Sequence, residues 1–232
     1  MMFRKLFNHE IEVRPQQVLT YGNKVNASFL LYTNARTIVK ILNETFNLQW
    51  RKEHYFLNDV NGNSYLVCRI HVYDKELKEW VFREDVGTES NTEKEKGLFS
   101  DSFKRSAVMY GIGAELYTAP NINITLKETE YYTKNGKTYL KSNIQFKVKE
   151  VEYDLNGDIV KLIITDNENE VRFSYDVEKE SLLKELLEYS ESLGIPVIKL
   201  EKSVFNKYKK ALKDLTKEEI TEIIHIYNEK EK

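Results

Sequence analysis

The sequence predicts an α+β fold: an antiparallel β-meander plus a long helix (a β-β-β-α core), with an additional C-terminal hairpin and a small helical appendage. Three observations predict it. Short alternating runs of apolar residues end at turn signals such as Asn61-Gly62 and Asn156-Gly157. Apolar residues recur at helical spacing in a few separate segments. From about residue 177 onward the helical pattern replaces the strand pattern. We therefore predict a core at 1–176 and a helical region at 177–232.

The first half of the chain is predicted to contain a strand, a helix and a three-stranded meander. Thr33 and Asn34 are good N-cap residue types, and apolar residues at helical spacing follow them. The alternating runs after this helix are separated by turn signals. The predicted elements are a strand at 24–32, a helix at 35–46, and strands at 50–57, 64–73 and 79–87.

A longer helix is predicted to begin at Ser100, because serine is a favoured N-cap residue. Gly111 and Gly113 are predicted to end it, since glycine readily adopts the backbone conformations found at helix C-termini. The apolar members of this helix lie at i, i+4 and i+7: Phe103, Ala107 and Tyr110.

After Pro120 the pattern returns to strands and then to helices. The run 137–153 alternates over most of its length and is predicted to be one strand, followed by strands at 158–166 and 170–175. A helix at 178–193 is predicted to end before Gly194, and two shorter helices complete the chain. Thr216 and Glu219 have the spacing of a capping box at the start of the last helix, and Leu215 and Ile220 have that of a hydrophobic staple.

The charge balance argues against a broadly basic surface. The 232 residues include 35 basic and 37 acidic side chains, for a net charge of -2. A strongly basic domain would indicate a nucleic-acid partner by itself. Any site for a polyanion in this chain must therefore be local.

Cysteine and histidine usage predicts a protein without a metal or cofactor. Cys68 is the only cysteine, which excludes an internal disulfide framework and a thiolate metal cluster, and the four histidines are scattered. The N-terminal residues do not form a secretory signal, and no apolar run approaches the about 18 residues that span a bilayer. We expect a soluble protein of a reducing compartment, with no membrane partner.

Lys104 and Arg105 are adjacent cations on the predicted longer helix. Neighbouring helix positions point about 100° apart, so the two form a two-pronged ridge that projects outward or into a groove. On a helix such a pair is more often a solvated face than a site. Arg36, at the start of the first helix, leaves the same two interpretations open.

Glu84 and Asp85 end a predicted strand, where two carboxylates could hold a metal ion for a nuclease. Adjacent strand residues point to opposite faces, so the two would not converge without a bulge. The alternative is that Asp85 caps the following turn.

Aromatic residues alternate with cations along the meander. Such a composition fits a platform on which single-stranded bases stack, and it also fits any half-buried sheet. The residues are Trp50, Tyr65, Tyr73 and Trp80, with Arg51, Lys52, Arg69 and Arg83.

Taken in order, the motifs of residues 8–120 resemble the single-strand annealing proteins of the Rad-fifty-two superfamily, in particular the forms carried by phages and prophages. The first helix matches a Tyr-x-x-Ala-Arg pattern, and the third meander strand ends in Glu-Asp-Val-Gly. The longer helix matches Asp-x-Phe-Lys-Arg-Ser-Ala, followed by Tyr-Gly-Ile-Gly and Leu-Tyr. The matching residues are Tyr32, Ala35, Arg36, Glu84–Gly87, Asp101, Phe103–Ala107, Tyr110–Gly113, Leu116 and Tyr117.

The resemblance implies a core that assembles into a ring or an open helical oligomer around single-stranded DNA. Lys104, Arg105 and Arg36 would contact the DNA backbone, and Lys94 and Lys96 are candidates for holding a second strand. Such a protein anneals complementary strands during homologous recombination or DNA repair. It breaks no bond, so no catalytic residue, metal or cofactor is expected and the protein is predicted not to be an enzyme.

The helices from residue 177 onward fall outside the resemblance. They are expected either to dock a single-strand-binding protein or an exonuclease, to stabilise neighbouring protomers, or simply to cover their own sheet. The expected location is the cytoplasm, that of a bacterial host if a phage encodes the chain. Three alternative functions stay open: a nucleic-acid-binding module that does not anneal, a metal-dependent nuclease and a structural oligomer.

Overall fold

The computed structural model describes residues 3–87 and 94–230, and side chains within 3–87 and 97–228. The fold is α+β, as the sequence predicts. The chain divides into two units, Met1–Ser174 and Tyr175–Lys232. Among the described residues, no helix is both long and apolar enough to cross a membrane.

The strands form a six-stranded sheet in the order β11-β10-β9-β1-β2-β6, a three-stranded meander β3-β4-β5 and a hairpin β7-β8. Their bounds are β1 Glu12–Tyr21, β2 Lys24–Tyr32, β3 Trp50–Asn58, β4 Ser64–Asp74, β5 Glu79–Val86, β6 Ile122–Thr125, β7 Tyr131–Lys134, β8 Lys137–Leu140, β9 Lys147–Tyr153, β10 Ile159–Thr165 and β11 Val171–Asp176. The helices are α1 Ala35–Phe46, α2 Lys94–Val108, α3 Val177–Ser192, α4 Val197–Tyr208 and α5 Lys217–Lys230.

The predicted β-β-β-α arrangement is present, with α2 packed on one face of the antiparallel meander. Phe103 and Ala107 of α2 are buried against it. One hydroxyl of α2 and one just beyond its end also reach the strands. The Ser106 hydroxyl lies 2.6 Å from the Cys68 carbonyl oxygen, and the Tyr110 hydroxyl donates to the Ile70 carbonyl at 3.0 Å. These contacts fix the rotation of α2 and therefore the direction of its outer side chains.

The start of α2 corrects the prediction that Ser100 caps it. The helix begins at Lys94, and the Ser100 hydroxyl donates to the Gly97 carbonyl inside the helix at 3.1 Å. Lysine and glutamate are good helix formers, and they extend the helix across the glycine. The predicted end is correct: α2 stops at Val108, and Gly111 and Gly113 adopt φ of 90° and 75°.

β1 is absent from the elements predicted by the sequence, because Pro15 and neighbouring polar residues interrupt its alternation. β1 pairs antiparallel with β2 along its length, and Pro15 lies where the register shifts. The shift leaves Gln16 as an extra residue between Pro15 and Gln17. Proline is tolerated at such a bulge because it has no N–H to donate to the ladder.

The run 137–153 is two strands, β8 and β9, and not the single strand predicted. β8 pairs with β7 across a tight turn in which Asn135 and Gly136 both have positive φ, as a two-residue hairpin requires. β9 instead pairs with β10 and β1. Alternation is the same in both strands, so it does not reveal that they have different partners.

The second unit is a three-helix cluster with its own core. Leu186, Leu200 and Val204 are buried in it. The predicted capping box is present at α5, where the Thr216 N–H donates to the Glu219 carboxylate at 2.7 Å and the Glu219 N–H donates back at 3.3 Å. Leu215 and Ile220, the predicted staple, are both fully buried.

Candidate functional site

Lys104 and Arg105 both line one cavity of about 420 Å³ in the first unit. Its other walls come from β1, β2, β6 and the turn Ala114–Thr118. The pair therefore does not lie on a flat solvated face, although its two side chains leave the helix in different directions. The structure brings the two cations together around a single concave site.

Glycine turns after α2 close this cavity. Gly111 and Gly113 let the chain reverse after Val108, which brings Leu116 and Tyr117 into the cavity wall. A Cβ at Gly113 would lie 3.6 Å from the Thr33 methyl carbon, and its φ of 75° disfavours other residues.

Lys104 is half-buried beside an aromatic ring. Its ammonium lies 5.4 Å from the centroid of the Tyr32 ring, within the range of a cation–π contact. Burial lowers the pKa of Lys104, the Arg14 cation adds to this, and the Asp101 and Glu12 carboxylates oppose it. Among the described residues, no carboxylate lies within ion-pair distance of the ammonium. A bound anion would therefore offset the free-energy cost of burying the Lys104 charge.

Arg105 keeps part of its hydrogen-bonding capacity unused. Its Nη2 lies 3.3 Å from the Asp85 Oδ2. Its Nε is buried and has no hydrogen-bond partner in the described part of the chain. A buried N–H donor without a partner is costly, and an anion in the cavity could satisfy it. Asp85 is the anion with which such a ligand would compete.

Arg14 is a third cation close to this site, although it is not among the described residues that line the cavity, and sequence reasoning missed it. Its guanidinium carbon lies 5.2 Å from the centroid of the same Tyr32 ring, and its Nε donates to the Glu12 carboxylate at 2.9 Å. The signal that could have found it is Gly22-Asn23, a two-residue turn pair between β1 and β2. Recognising that hairpin would have brought β1 alongside β2, but the bulge at Gln16 then shifts the register so that Arg14 lies opposite Leu30 and Glu12 lies opposite Tyr32.

Arg36, the third predicted backbone contact, is not among the described residues that line this cavity. Arg36 is exposed on the first turn of α1, where the Asn34 side chain accepts from the Thr37 N–H at 3.0 Å. Lys94 and Lys96 lie in the first turn of α2, and their side chains fall outside the described residues.

Glu84 and Asp85 point to opposite faces of β5. The Glu84 carboxylate accepts from the Arg69 Nε at 2.6 Å and from the Tyr55 hydroxyl at 2.8 Å, whereas Asp85 faces α2 and Arg105. No group of three or more histidine, cysteine or acidic residues within the described ranges is placed to hold a metal ion. The two carboxylates therefore do not form a joint site.

The aromatic and cationic residues of the meander are divided between its two faces. The face opposite α2, which we call the outer sheet face, carries Arg51 over Trp80 at 5.0 Å and Arg69 over Phe82 at 4.3 Å. Tyr73 packs against Trp80 at 5.7 Å, and the Tyr65 hydroxyl donates to the Asp59 carboxylate at 3.2 Å. Three further members contact Phe103 of α2 or Tyr110 just beyond it: Trp50, Lys52 and Arg83. One continuous platform made of the whole predicted set is therefore not present.

No known family model matches this sequence, and neither the curated proteins nor the solved structures give a match.

Proposed function

We propose that this protein binds single-stranded DNA and anneals complementary strands, with Lys104 and Arg105 contacting the phosphate backbone. The observation that carries the proposal is the pair of cations around one cavity, with a buried Arg105 Nε that has no hydrogen-bond partner among the described residues. The motif resemblance in residues 8–120 supports the same role. Contacts to phosphate position a strand without reading its sequence, which leaves bases free to pair.

Oligomerisation is the second part of the proposal, because one protomer offers few cations. Lys104 and Arg105 line the site and Arg14 lies close to it, yet the chain as a whole has a net charge of -2. A few phosphate contacts give weak, salt-sensitive binding. A ring or filament repeats them and gains affinity through multivalency. In that assembly, exposed Arg36 extends the backbone contact, and Lys94 and Lys96 hold the second strand.

The remaining assignments follow from this role. Annealing makes and breaks no covalent bond, so the protein acts in recombination without being an enzyme and without a cofactor. The helical unit is assigned to docking a single-strand-binding protein or an exonuclease. The proposed location is the cytoplasm, that of the bacterial host for a phage-encoded chain.

The test is an annealing time course with two complementary fluorescent oligonucleotides at low and moderate salt. The intact protein should accelerate pairing, and the variant Lys104→Ala/Arg105→Ala should lose both pairing and strand binding while keeping its oligomeric state. The matched control, Arg51→Ala/Arg69→Ala, removes the same charge from the outer sheet face and should anneal like the intact protein.

Two outcomes would contradict the proposal. If the intact protein binds strands without accelerating their pairing, the binding-module alternative replaces annealing. If Lys104→Ala/Arg105→Ala anneals as fast as the intact chain, the cavity is not the backbone contact.

A further inference from the structure

The cavity beside Lys104 and Arg105 is more apolar than a phosphate site needs. Leu30 of β2 and Leu116 of the following turn form part of its lining. Tyr117 also lines it and is 73% exposed. A phosphate alone is bound by cations and N–H donors and gains nothing from such a lining. The lining instead fits a ligand with an anionic group and an attached flat, partly apolar group.

The same cavity carries three primary amides. Gln16, Asn121 and Asn123 line it and are exposed. Each amide has an NH₂ group that donates hydrogen bonds and an oxygen that accepts them, so it can pair with the edge of any base. Gln16 is the extra residue of the β1 bulge, and bulges redirect a side chain out of the regular strand alternation.

The volume limits the size of the ligand. Pockets that enclose a small organic molecule have about 300–1,000 Å³. A cavity of about 420 Å³ lies near the lower end, with room for one nucleotide and not for a stack of bases.

We infer that each protomer takes one base of the bound strand into this cavity, with the adjoining phosphate on Lys104 and Arg105 and the base stacked on Tyr117. This inference rests on the proposed DNA binding and adds the position of one base. Removing a base from a stack costs least in single-stranded DNA. The bound strand then presents short runs of exposed bases, and one sheltered base for each protomer separates these runs.

The test compares a single-stranded oligonucleotide with an abasic one of equal length and charge. Stacking of a base on an aromatic side chain changes affinity by about 5- to 100-fold. The intact protein should therefore prefer the ordinary strand by about that factor. Tyr117→Ala should remove most of this preference while leaving binding to the abasic strand unchanged. Leu30→Trp, which fills the cavity and keeps both cations, should do the same.

The control is Trp80→Ala, which removes an aromatic side chain that is 44% exposed on the outer sheet face. It should keep the preference for the ordinary strand. Equal affinity of the intact protein for both strands overturns the inference and leaves the phosphate contact intact. A preference that survives Tyr117→Ala and Leu30→Trp also overturns it, because the base then lies elsewhere. Failure of the intact protein to bind either strand overturns the proposed function together with the inference.

Discussion

The cavity beside α2 and the outer sheet face both combine aromatic rings with cations, yet Arg105 at the cavity and Arg69 on the outer sheet face differ in how they are neutralised. On the outer sheet face, Arg69 is paired with Glu84 at 2.6 Å, and Glu53 accepts from the His71 ring at 2.8 Å. Around the cavity, Arg105 has only Asp85 at 3.3 Å, and its Nε has no partner within the described ranges.

This difference shows why composition does not identify an anion site. A cation that already has a carboxylate at hydrogen-bond distance is partly neutralised and therefore attracts a phosphate less strongly. Lys104 and Arg105 give up less, since burial disfavours the Lys104 charge and Arg105 has a spare donor. The cavity is therefore the better place for an external anion, although the outer sheet face has more aromatic residues.

The largest expected difference between the two regions concerns DNA affinity and its salt dependence. Hydrogen bonds to charged groups are worth about 1.5–3 kcal/mol each, so Lys104→Ala/Arg105→Ala should weaken strand binding by at least about 100-fold. The slope of log K against log salt should become shallower by about 1.4, or about 0.7 for each lost contact. Fluorescence anisotropy at several salt concentrations measures both. An equal loss of strand affinity in Arg51→Ala/Arg69→Ala would show that the two regions do not differ in DNA binding.

The second prediction concerns the attachment of α2 to the meander. The Ser106 hydroxyl accepts from the Asp85 N–H at 3.0 Å and lies 2.6 Å from the Cys68 carbonyl oxygen. Ser106→Ala leaves both buried groups without this partner and should lower the free energy of unfolding by about 1–3 kcal/mol. Urea unfolding measures the change.

Ser100→Ala is the control for this prediction on the same helix. The Ser100 hydroxyl donates to Gly97 of its own helix and bonds to no strand among the described residues, so the change should stay within about 0.5 kcal/mol. Similar losses in both variants would mean that Ser106 does not anchor α2.

A smaller effect is expected from Asp85→Asn, which removes the anion that competes for Arg105. The asparagine oxygen can still accept the Val86 N–H bond that Asp85 accepts at 2.7 Å. An exposed ion pair is worth about 0.2–1 kcal/mol, so strand affinity should rise by no more than about fivefold, most clearly at low salt. A decrease in affinity would indicate that Asp85 orients Arg105 for binding instead of competing with DNA.

The smallest effect is expected from Glu84→Gln on the opposite face of the same strand. Strand affinity should not change, and stability should fall by no more than about 1 kcal/mol. Arg69 lowers the pKa of Glu84, so the pair stabilises the fold above the ordinary pKa of about 4.3, and this contribution disappears as the pH falls through the lower folded value. Urea unfolding of both proteins at pH 7 and pH 3 should show the difference shrinking in acid.

The same variant tests the nuclease alternative. Magnesium-dependent loss of full-length DNA that disappears in Glu84→Gln would support catalysis by the acidic pair. Full-length DNA that persists with the intact protein and magnesium is the outcome that we expect.

Local signals predicted much of the fold and only part of the candidate site. The Thr216 capping box and the glycines after α2 could be predicted because each depends on residues close together in the chain. The β1 strand and the break between β8 and β9 could not be predicted, since both depend on which strand pairs with each of them. Arg14 was missed for the same reason.

Local patterns were enough to predict the α+β class, the meander with its helix, and the position of Lys104 and Arg105 on that helix, because periodicity and capping act over a few residues. The fold was needed to show that the two cations share a cavity with Tyr32, that Arg14 lies close to it, and that the meander aromatics are divided between two faces. Those outcomes depend on strand register and on the rotation of α2, which are set by long-range packing and hydrogen bonds.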